Sequence, residues 1–364
     1  MDALAADPAQ RLHTALARRR RQVAVAFVLL AFLVVAVAVA SLGLGAVAIP
    51  PGRTLAVLWS FVSGAPLDQD MTRDAVVILT IRLPRSLLGL MVGAALAVSG
   101  ALMQGLFRNP LADPGLVGVS SGAALSAAAV IVLGDAVMPG GVQLPFAALP
   151  VAAFLGGLAF TAALYLLSSG TGRVSVATLL LAGVALGALA GAATGLISFV
   201  STDQQLRDLT FWMLGSLGGA TWTKVATIAP AMLPLALAMP FLGRGLNALA
   251  LGEAEAFHLG LPVERIKRIT ILVVALAVGA AVAASGVIGF VGIVVPHLLR
   301  LMIGADHRVL LPASALLGAA LLLGSDIAAR LVVAPAELPI GIITAMVGAP
   351  FFLWLLLARR RSLS

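Results

Sequence analysis

The sequence lacks cysteine, and it has only two lysines, Lys224 and Lys267, among its 364 residues. Without cysteine the chain cannot form disulfides, thiolate metal sites or cysteine nucleophiles. Neither lysine lies in a G-x-x-x-x-G-K-[ST] segment, so the chain lacks the loop that cradles nucleotide phosphates in many ATPases. The four histidines show no spacing typical of a metal pair. We therefore expect this chain to hold no cofactor and no metal of its own.

Charged residues are also scarce, at 10% of the chain against 61% hydrophobic residues. A soluble domain is about one quarter charged. Uncharged apolar runs of about 18 or more residues recur from end to end, which indicates transmembrane helices. No hydrophilic stretch approaches the roughly 50 residues of a separate soluble domain. We predict one all-α polytopic membrane domain over residues 1–364, with a basic N-terminal segment at 1–21.

The apolar stretches predict ten transmembrane spans. The first is longer than the roughly 7–15 residues of a signal-peptide core, so we expect it to remain uncleaved. With ten spans, 16 of the 23 basic residues lie on the cytoplasmic side, as the positive-inside rule requires. This predicts a multi-pass membrane protein with both termini in the cytoplasm. The predicted spans are 22–49, 86–107, 115–134, 144–167, 174–201, 225–243, 269–285, 286–305, 309–325 and 338–358.

Two segments of similar sequence indicate an internal repeat. GAALAVSG at 93–100 and GAAVAASG at 279–286 match at six of eight positions. They lie five predicted spans apart, so their orientations across the membrane would be opposite. Inverted repeats of this kind are a recurrent transporter architecture, in which the transport pathway lies at the repeat interface.

The fifth predicted span carries a stripe of glycines at helical spacing, Gly183, Gly187, Gly191 and Gly195. Small residues allow close helix contact in lipid. The stripe indicates either a tightly packed helix or a pathway helix that slides or tilts against its neighbours.

Acidic residues lie mostly at the ends of the predicted spans or in the loops between them. Ion-coupled carriers usually place ionisable groups within their spans. Asp326, near the end of the ninth span, is the closest to such a group, and its i,i+4 spacing to Arg330 permits a helical ion pair. No nucleophile and base are placed together as in an enzyme, so we expect a non-catalytic protein.

One charged segment interrupts the apolar sequence between the sixth and seventh spans. LGEAEAFHLGLPVERIKR, residues 251–268, carries six charges and is expected on the cytoplasmic side within a segment covering 246–268. LGEAEAF predicts a short helix with acids in its first turns, which suits the helix dipole. We expect Gly260 to end this helix and Pro262 to precede the next one. The helix either lies on lipid headgroups or receives the push of a cytoplasmic ATPase.

From about residue 50 onward the sequence resembles the membrane permeases of binding-protein-dependent ABC importers for iron-siderophores, haem and cobalamin. The motifs that carry this resemblance occur in the family's order. They are RLPR (82–85), GALMQGLFRNPLADPGLVGVSSGAAL (100–125), LLLAGVALG (179–187), FWMLGSLGGATW (211–222), the charged segment, GFVGIVVPHLLRL (289–301), DHRVLLPASALLGAALLLGSDIAARL (306–331) and ELPIGIITAMVGAPFFLWLL (337–356).

The resemblance implies a protein of the bacterial inner membrane. It also implies a homodimer with the pathway on its axis, two cytoplasmic ATPase subunits that bind ATP and Mg²⁺, and a periplasmic binding protein. It implies that Asn109 and Leu111 form a cytoplasmic gate. It also implies that three arginines dock glutamates of the binding protein, although anchoring to lipid headgroups is an alternative for them. The docking arginines would be Arg82, Arg85 and Arg330. The residues that couple to the ATPase would be Leu251, Gly252, Glu253, Glu255, Ala256, Leu259 and Gly260.

Two functions follow for comparison: an importer permease driven by separate ATPases, and an ion-driven secondary carrier that works alone. The motifs favour the permease. The sequences of these motifs are most similar to those of haem permeases. Ferric siderophore and cobalamin stay open as cargoes. The net charge of +8 does not indicate nucleic-acid binding, because the basic residues are dispersed beside the membrane spans.

Overall fold

The structure is a computed structural model that describes residues 8–45, 47–137, 148–170 and 173–361. Two short strands, β1 (Ser169–Gly170) and β2 (Arg173–Val174), pair antiparallel between α6 and α7. A π-helical segment, Val77–Arg82, joins α3 to α4, and single 3₁₀ turns cover Gln69–Met71 and Pro114–Val117. The α-helices are α1 (Pro8–Gly43), α2 (Pro51–Ser63), α3 (Thr72–Val76), α4 (Leu83–Leu106), α5 (Val119–Val137), α6 (Ala148–Ser168), α7 (Val176–Phe199), α8 (Asp203–Leu214), α9 (Trp222–Leu249), α10 (Glu253–His258), α11 (Val263–Ser285), α12 (Val291–Ile303), α13 (His307–Leu331) and α14 (Ile340–Arg361).

The helical, membrane-spanning class predicted from the sequence is confirmed. Each of the ten predicted spans falls on one helix. In the described part of the chain, seven helical segments have the length and composition of a membrane span, and α5, α12 and α14 contain shorter apolar stretches of 10–17 residues. The count of ten spans therefore stays a prediction. Residues 269–296 carry no charge, but the predicted boundary between the seventh and eighth spans is a real break, because α11 ends at Ser285 and Gly286 has a φ of +73°.

The core is built around α4 and α11. In each of these helices 78% of the most apolar stretch is buried, compared with 11% in α7 and none in α1. The two similar octapeptides thus lie on the two central helices. Close backbone approach explains the glycines of the first octapeptide, because a Cβ at Gly100 would lie 1.8 Å from the carbonyl oxygen of Gly292 in α12.

Two helices, α1 and α2, differ from the sequence-based expectation. α1 begins at Pro8 and runs without a break through the basic segment into the first span. Its Ala, Leu and Arg residues are good helix formers and nothing within it ends a helix. α2 was not predicted, because its 13 residues are too few to cross a membrane. Its signals are local: Pro51 occupies the first turn, and Gly64 ends the helix with a φ of +70°.

Candidate functional sites

The first candidate site is α10 and the turns that flank it. Gly252 has a φ of +135° before the helix and Gly260 a φ of +77° after it, conformations that strongly favour glycine. The amide of Ala256 donates to the carbonyl of Gly252 at 3.0 Å, and the amide of Leu261 donates to the carbonyl of Ala256 at 3.1 Å. The predicted short helix and its end at Gly260 are confirmed, with Val263 starting α11 directly afterwards.

α10 and its flanking turns present an apolar surface that no described part of this chain covers. The exposed fractions of Leu251, Phe257 and Leu259 are 68%, 72% and 64%. Large apolar side chains that protrude together beside charged residues are typical of a protein contact. Ala256, which we expected among the contact residues, is fully buried instead. It seats the helix on the core and cannot itself touch a partner.

The ammonium of Lys267 joins three elements at the base of α10. Its Nζ donates to Glu253 Oε2 at 2.6 Å, to Glu264 Oε1 at 3.3 Å and to the carbonyl oxygen of Val174 at 3.0 Å. Glu264 Oε2 in turn accepts the amide of Val174 at 2.9 Å. The Lys267 side chain is only 3% exposed, so these partners hold a charge that is almost withdrawn from water. α10, α11 and β2 are thereby tied together.

Sequence reasoning did not single out Lys267. Its i,i+3 spacing to Glu264 was visible, but the decisive partner, Val174, lies 93 residues earlier in the chain. The hydrogen bond from Lys267 to Val174 also links to α7. Ser175 directly follows β2 and caps that helix by accepting the amide of Thr178 at 3.2 Å. Lys267 thus connects the exposed helix to the base of α7.

The glycine stripe of α7 is packed at one end only. A Cβ at Gly183 would lie 2.5 Å from the carbonyl oxygen of Leu116, which is too close for any side chain. A Cβ at Gly191 or Gly195 would meet nothing within 4 Å. Nearby apolar side chains such as Leu196, 68% exposed, are likewise uncovered. Tight packing within this chain therefore accounts for Gly183 and not for the far end of the stripe.

The predicted gate residues lie in a stiff loop between α4 and α5. Asn109 Oδ1 accepts the amide hydrogen of Leu111 at 2.9 Å and so holds the backbone of the loop. The Leu111 side chain is 54% exposed. Asp113 Oδ1 accepts the amide of Gly115 at 2.7 Å and caps the turn at Pro114. Burial raises the pKa of Asp113, and this backbone hydrogen bond opposes the rise. The loop therefore presents an apolar side chain on a fixed backbone.

Arg85, one of the three predicted docking residues, lies in a buried cluster of charges. It forms an ion pair with Asp326 at 2.8 Å and a second with Glu337, also at 2.8 Å. Arg330 forms an ion pair with the same Asp326 at 3.1 Å, which confirms the i,i+4 pair predicted from the sequence. Asp326 is 1% exposed and is shared by two arginines, so its charge is compensated.

The guanidinium of Arg82 donates to the carbonyl oxygens of the last two residues of α1, Leu42 and Gly43, and to that of Val47 just beyond the helix. Arg330 binds Ser41 Oγ at 3.0 Å in the same region. The last carbonyls of a helix have no partner within it, and an arginine there satisfies them. The three predicted docking arginines are buried, at 6–8% exposed, and each already has partners within this chain. Their docking role stays a prediction.

A third group of polar residues closes the turn between α12 and α13. Asp306 Oδ1 accepts Asn247 Nδ2 at 2.6 Å and the amide of Arg308 at 3.0 Å, which caps α13. Partial burial would raise the pKa of Asp306, but hydrogen bonds from Arg308 and Asn247 lower it to about 2. Within the described ranges, no three His, Asp or Glu side chains converge as a metal site would need.

The chain is a multi-span helical domain that lacks a nucleotide-binding loop and exposes a short helix between two spans. This is the architecture of a transporter subunit that is moved by a partner. The chain belongs to the FecCD transport family, whose model matches residues 30–358. It is a permease component of an ABC importer, a class in which this subunit is not catalytic.

Several characterised relatives are similar to the chain over most of its length. The hemin transport system permease protein HmuU of Yersinia pestis is 50% identical over 80% of this chain and 87% of its own length. The vitamin B12 import system permease protein BtuC of Escherichia coli is 46% identical over 84% and 93%. A solved structure, described as a metal-chelate type ABC transporter in an inward-facing conformation, superposes with a TM-score of 0.76 at 34% identity, covering 92% of this chain and 99% of that one.

Proposed function

We propose that this chain imports an iron-containing chelate, with haem as the first candidate, across the bacterial inner membrane. The support for haem is the similarity to HmuU at 50% identity. The similarity to BtuC at 46% is nearly as strong, so cobalamin and ferric siderophore are the alternative cargoes within the same family. In the proposed ten-span topology, both termini of the chain lie in the cytoplasm.

The observation that carries the proposed mechanism is the exposed apolar face of α10, a helix that Lys267 contacts through Glu253. An ATPase subunit that binds ATP and Mg²⁺ would dock on Leu251, Phe257 and Leu259. Movement of α10 would pass through Lys267 to β2 and α7, since Lys267 donates both to Glu253 of α10 and to Val174 of β2. The coupling segment would thereby move the helix that lines the pathway.

The pathway would lie between two copies of the chain. α7 is the element best suited to this place, because its glycine stripe is open beyond Gly187 and few of its residues are buried. In a homodimer the open ends of both α7 helices would face the axis. Leu111 on its stiff loop would narrow the inner mouth, and Asn109 would hold the loop in that shape.

Docking of a binding protein would occur at the opposite end, around Arg85. Glu337 is 42% exposed and occupies one side of the Arg85 guanidinium. A carboxylate from a binding protein would have to replace Glu337 or to bind beside it, because arginine can hold carboxylates through both edges of its fork. Arg82 and Arg330 would support this end by fixing the chain that follows α1.

The alternative of an ion-driven carrier has weaker support. Within the described spans, the buried acid Asp326 is shared by Arg85 and Arg330. An acid that carries protons or Na⁺ must change partners during transport, and two fixed arginines oppose this change.

Cargo can be assigned by measuring ATP hydrolysis in the assembled complex of this permease with its ATPase and binding protein. Haem, a ferric siderophore and cobalamin are supplied separately to the binding protein. We expect haem to stimulate hydrolysis the most. Stimulation by cobalamin or siderophore alone would overturn the haem assignment and leave the permease function intact.

A further inference from the structure

An apolar groove of about 690 Å³ runs between α1 and the pair α12 and α13, and none of the proposed transport machinery uses it. From α1 it is lined by residues on one helical face, among them Val25, Leu29 and Leu33. Its opposite wall includes Met302 of α12 and Leu317 of α13. Leu29 is 62% exposed and Met302 66%, so the groove opens to the outside of the chain.

Two arginines, Arg18 and Arg21, line one end of this groove. They belong to the run Arg18–Arg21, all of whose side chains are exposed. In the part of the chain that the structure describes, no carboxylate pairs with any of the four. Among the described residues, the groove therefore has a doubly cationic end with no paired carboxylate, and apolar walls beyond it.

The dimensions match one leaflet of a bilayer. Arg21 and Leu33 are 12 residues apart on a continuous helix, which corresponds to roughly 18 Å along its axis. Half of the hydrocarbon core of a bilayer is about 15 Å thick. With the arginines at the headgroup level, the walls formed by Val25, Leu29 and Leu33 cover the depth of one set of acyl chains.

We propose that this groove binds one anionic phospholipid. The guanidinium groups of Arg18 and Arg21 hold the phosphate region through charge-assisted hydrogen bonds, and an acyl chain lies against Leu29 and Met302. Two adjacent guanidinium groups that no described carboxylate neutralises favour a net anionic headgroup over a zwitterionic one. The lipid would fill the space between α1, whose apolar stretch is not buried in the chain, and α12. The site is independent of cargo and ATPase.

The test is a lipid titration of the full chain, purified and delipidated in detergent, followed by native mass spectrometry. Dioleoyl phosphatidylglycerol is the probe, and dioleoyl phosphatidylethanolamine is the zwitterionic comparison. The variant Arg18→Gln/Arg21→Gln removes the cationic end of the groove. The matched control, Arg19→Gln/Arg20→Gln, removes the same net charge from side chains that do not line it. Circular dichroism checks that both variants keep their helical content.

We expect phosphatidylglycerol to bind more tightly than phosphatidylethanolamine. Its affinity should fall by about fivefold for each groove arginine removed, roughly 30-fold for the pair. The control pair should lose much less, and inorganic phosphate should not displace the lipid. Equal losses in the two double variants, equal binding of the two lipids, or displacement by inorganic phosphate would each overturn the proposal. A second variant, Leu29→Asn, should weaken binding of the long-chain lipid, and unchanged binding would exclude the acyl groove.

Discussion

Replacement of Lys267 by methionine tests how movement at α10 reaches the rest of the chain. Lys267 Nζ makes contacts of 2.6, 3.0 and 3.3 Å, and hydrogen bonds to charged groups contribute about 1.5–3 kcal/mol each. The loss is reduced because the freed acids can regain water, since Glu253 is 44% exposed and Glu264 is 31% exposed. We expect a net loss of about 2 kcal/mol in the attachment of α10 to β2, less than the roughly 3–5 kcal/mol for breaking a fully buried pair.

A loss of about 2 kcal/mol corresponds to a roughly 30-fold shift in a coupling equilibrium. The assay is reconstitution with the ATPase and binding protein in liposomes, measuring the cargo imported per ATP hydrolysed. Lys267→Met should lower this ratio while hydrolysis continues, and amide exchange in β2 and α10 should become faster. Lys267→Arg keeps the charge and should retain most of the coupling. Arg268→Gln removes the same charge from an exposed neighbour and serves as the matched control. An unchanged ratio in Lys267→Met, or an equal loss in the control, would refute the reasoning.

Three further predictions concern other sites. Glu337→Ala frees one side of Arg85 and should strengthen binding-protein affinity by up to about fivefold in surface plasmon resonance. Weaker binding would show that Glu337 does not compete. Gly100→Ala forces a Cβ against a backbone carbonyl and should cost about 1–3 kcal/mol or more in unfolding, whereas Gly195→Ala, in open space, should leave the melting temperature nearly unchanged. Because the pKa of Asp306 is lowered to about 2, its stabilisation is present above pH ~4, and the advantage of wild type over Asp306→Asn should vanish as pH falls from 4 to 2.

Local signals were sufficient for several parts of this structure. Acids at its first turns and the following Gly260 predicted α10, and the i,i+4 spacing predicted the ion pair of Asp326 with Arg330. These features depend on residues within one or two helical turns. Apolar run length likewise located the membrane helices, because bilayer thickness fixes the length that a span requires.

Features that depend on distant parts of the chain were not predictable. The burial of Arg82 follows from the position of the end of α1 and of the chain just after it, which together bring three carbonyls over its guanidinium. The contacts of Lys267 depend on Val174 in β2, which lies between α6 and α7. The burial of Ala256 was also missed, because a helix of six residues is too short for its apolar periodicity to show which face turns inward.

The central claim is that this permease moves only when a separate ATPase acts on it through α10. The most direct measurement is uptake of the chelate into proteoliposomes that contain the permease with or without its ATPase, with a binding protein outside. We predict uptake only when the ATPase and ATP are both present inside, and loss of that uptake when Phe257 is replaced by aspartate. Uptake by the permease alone, driven by a proton or sodium gradient, would contradict the account.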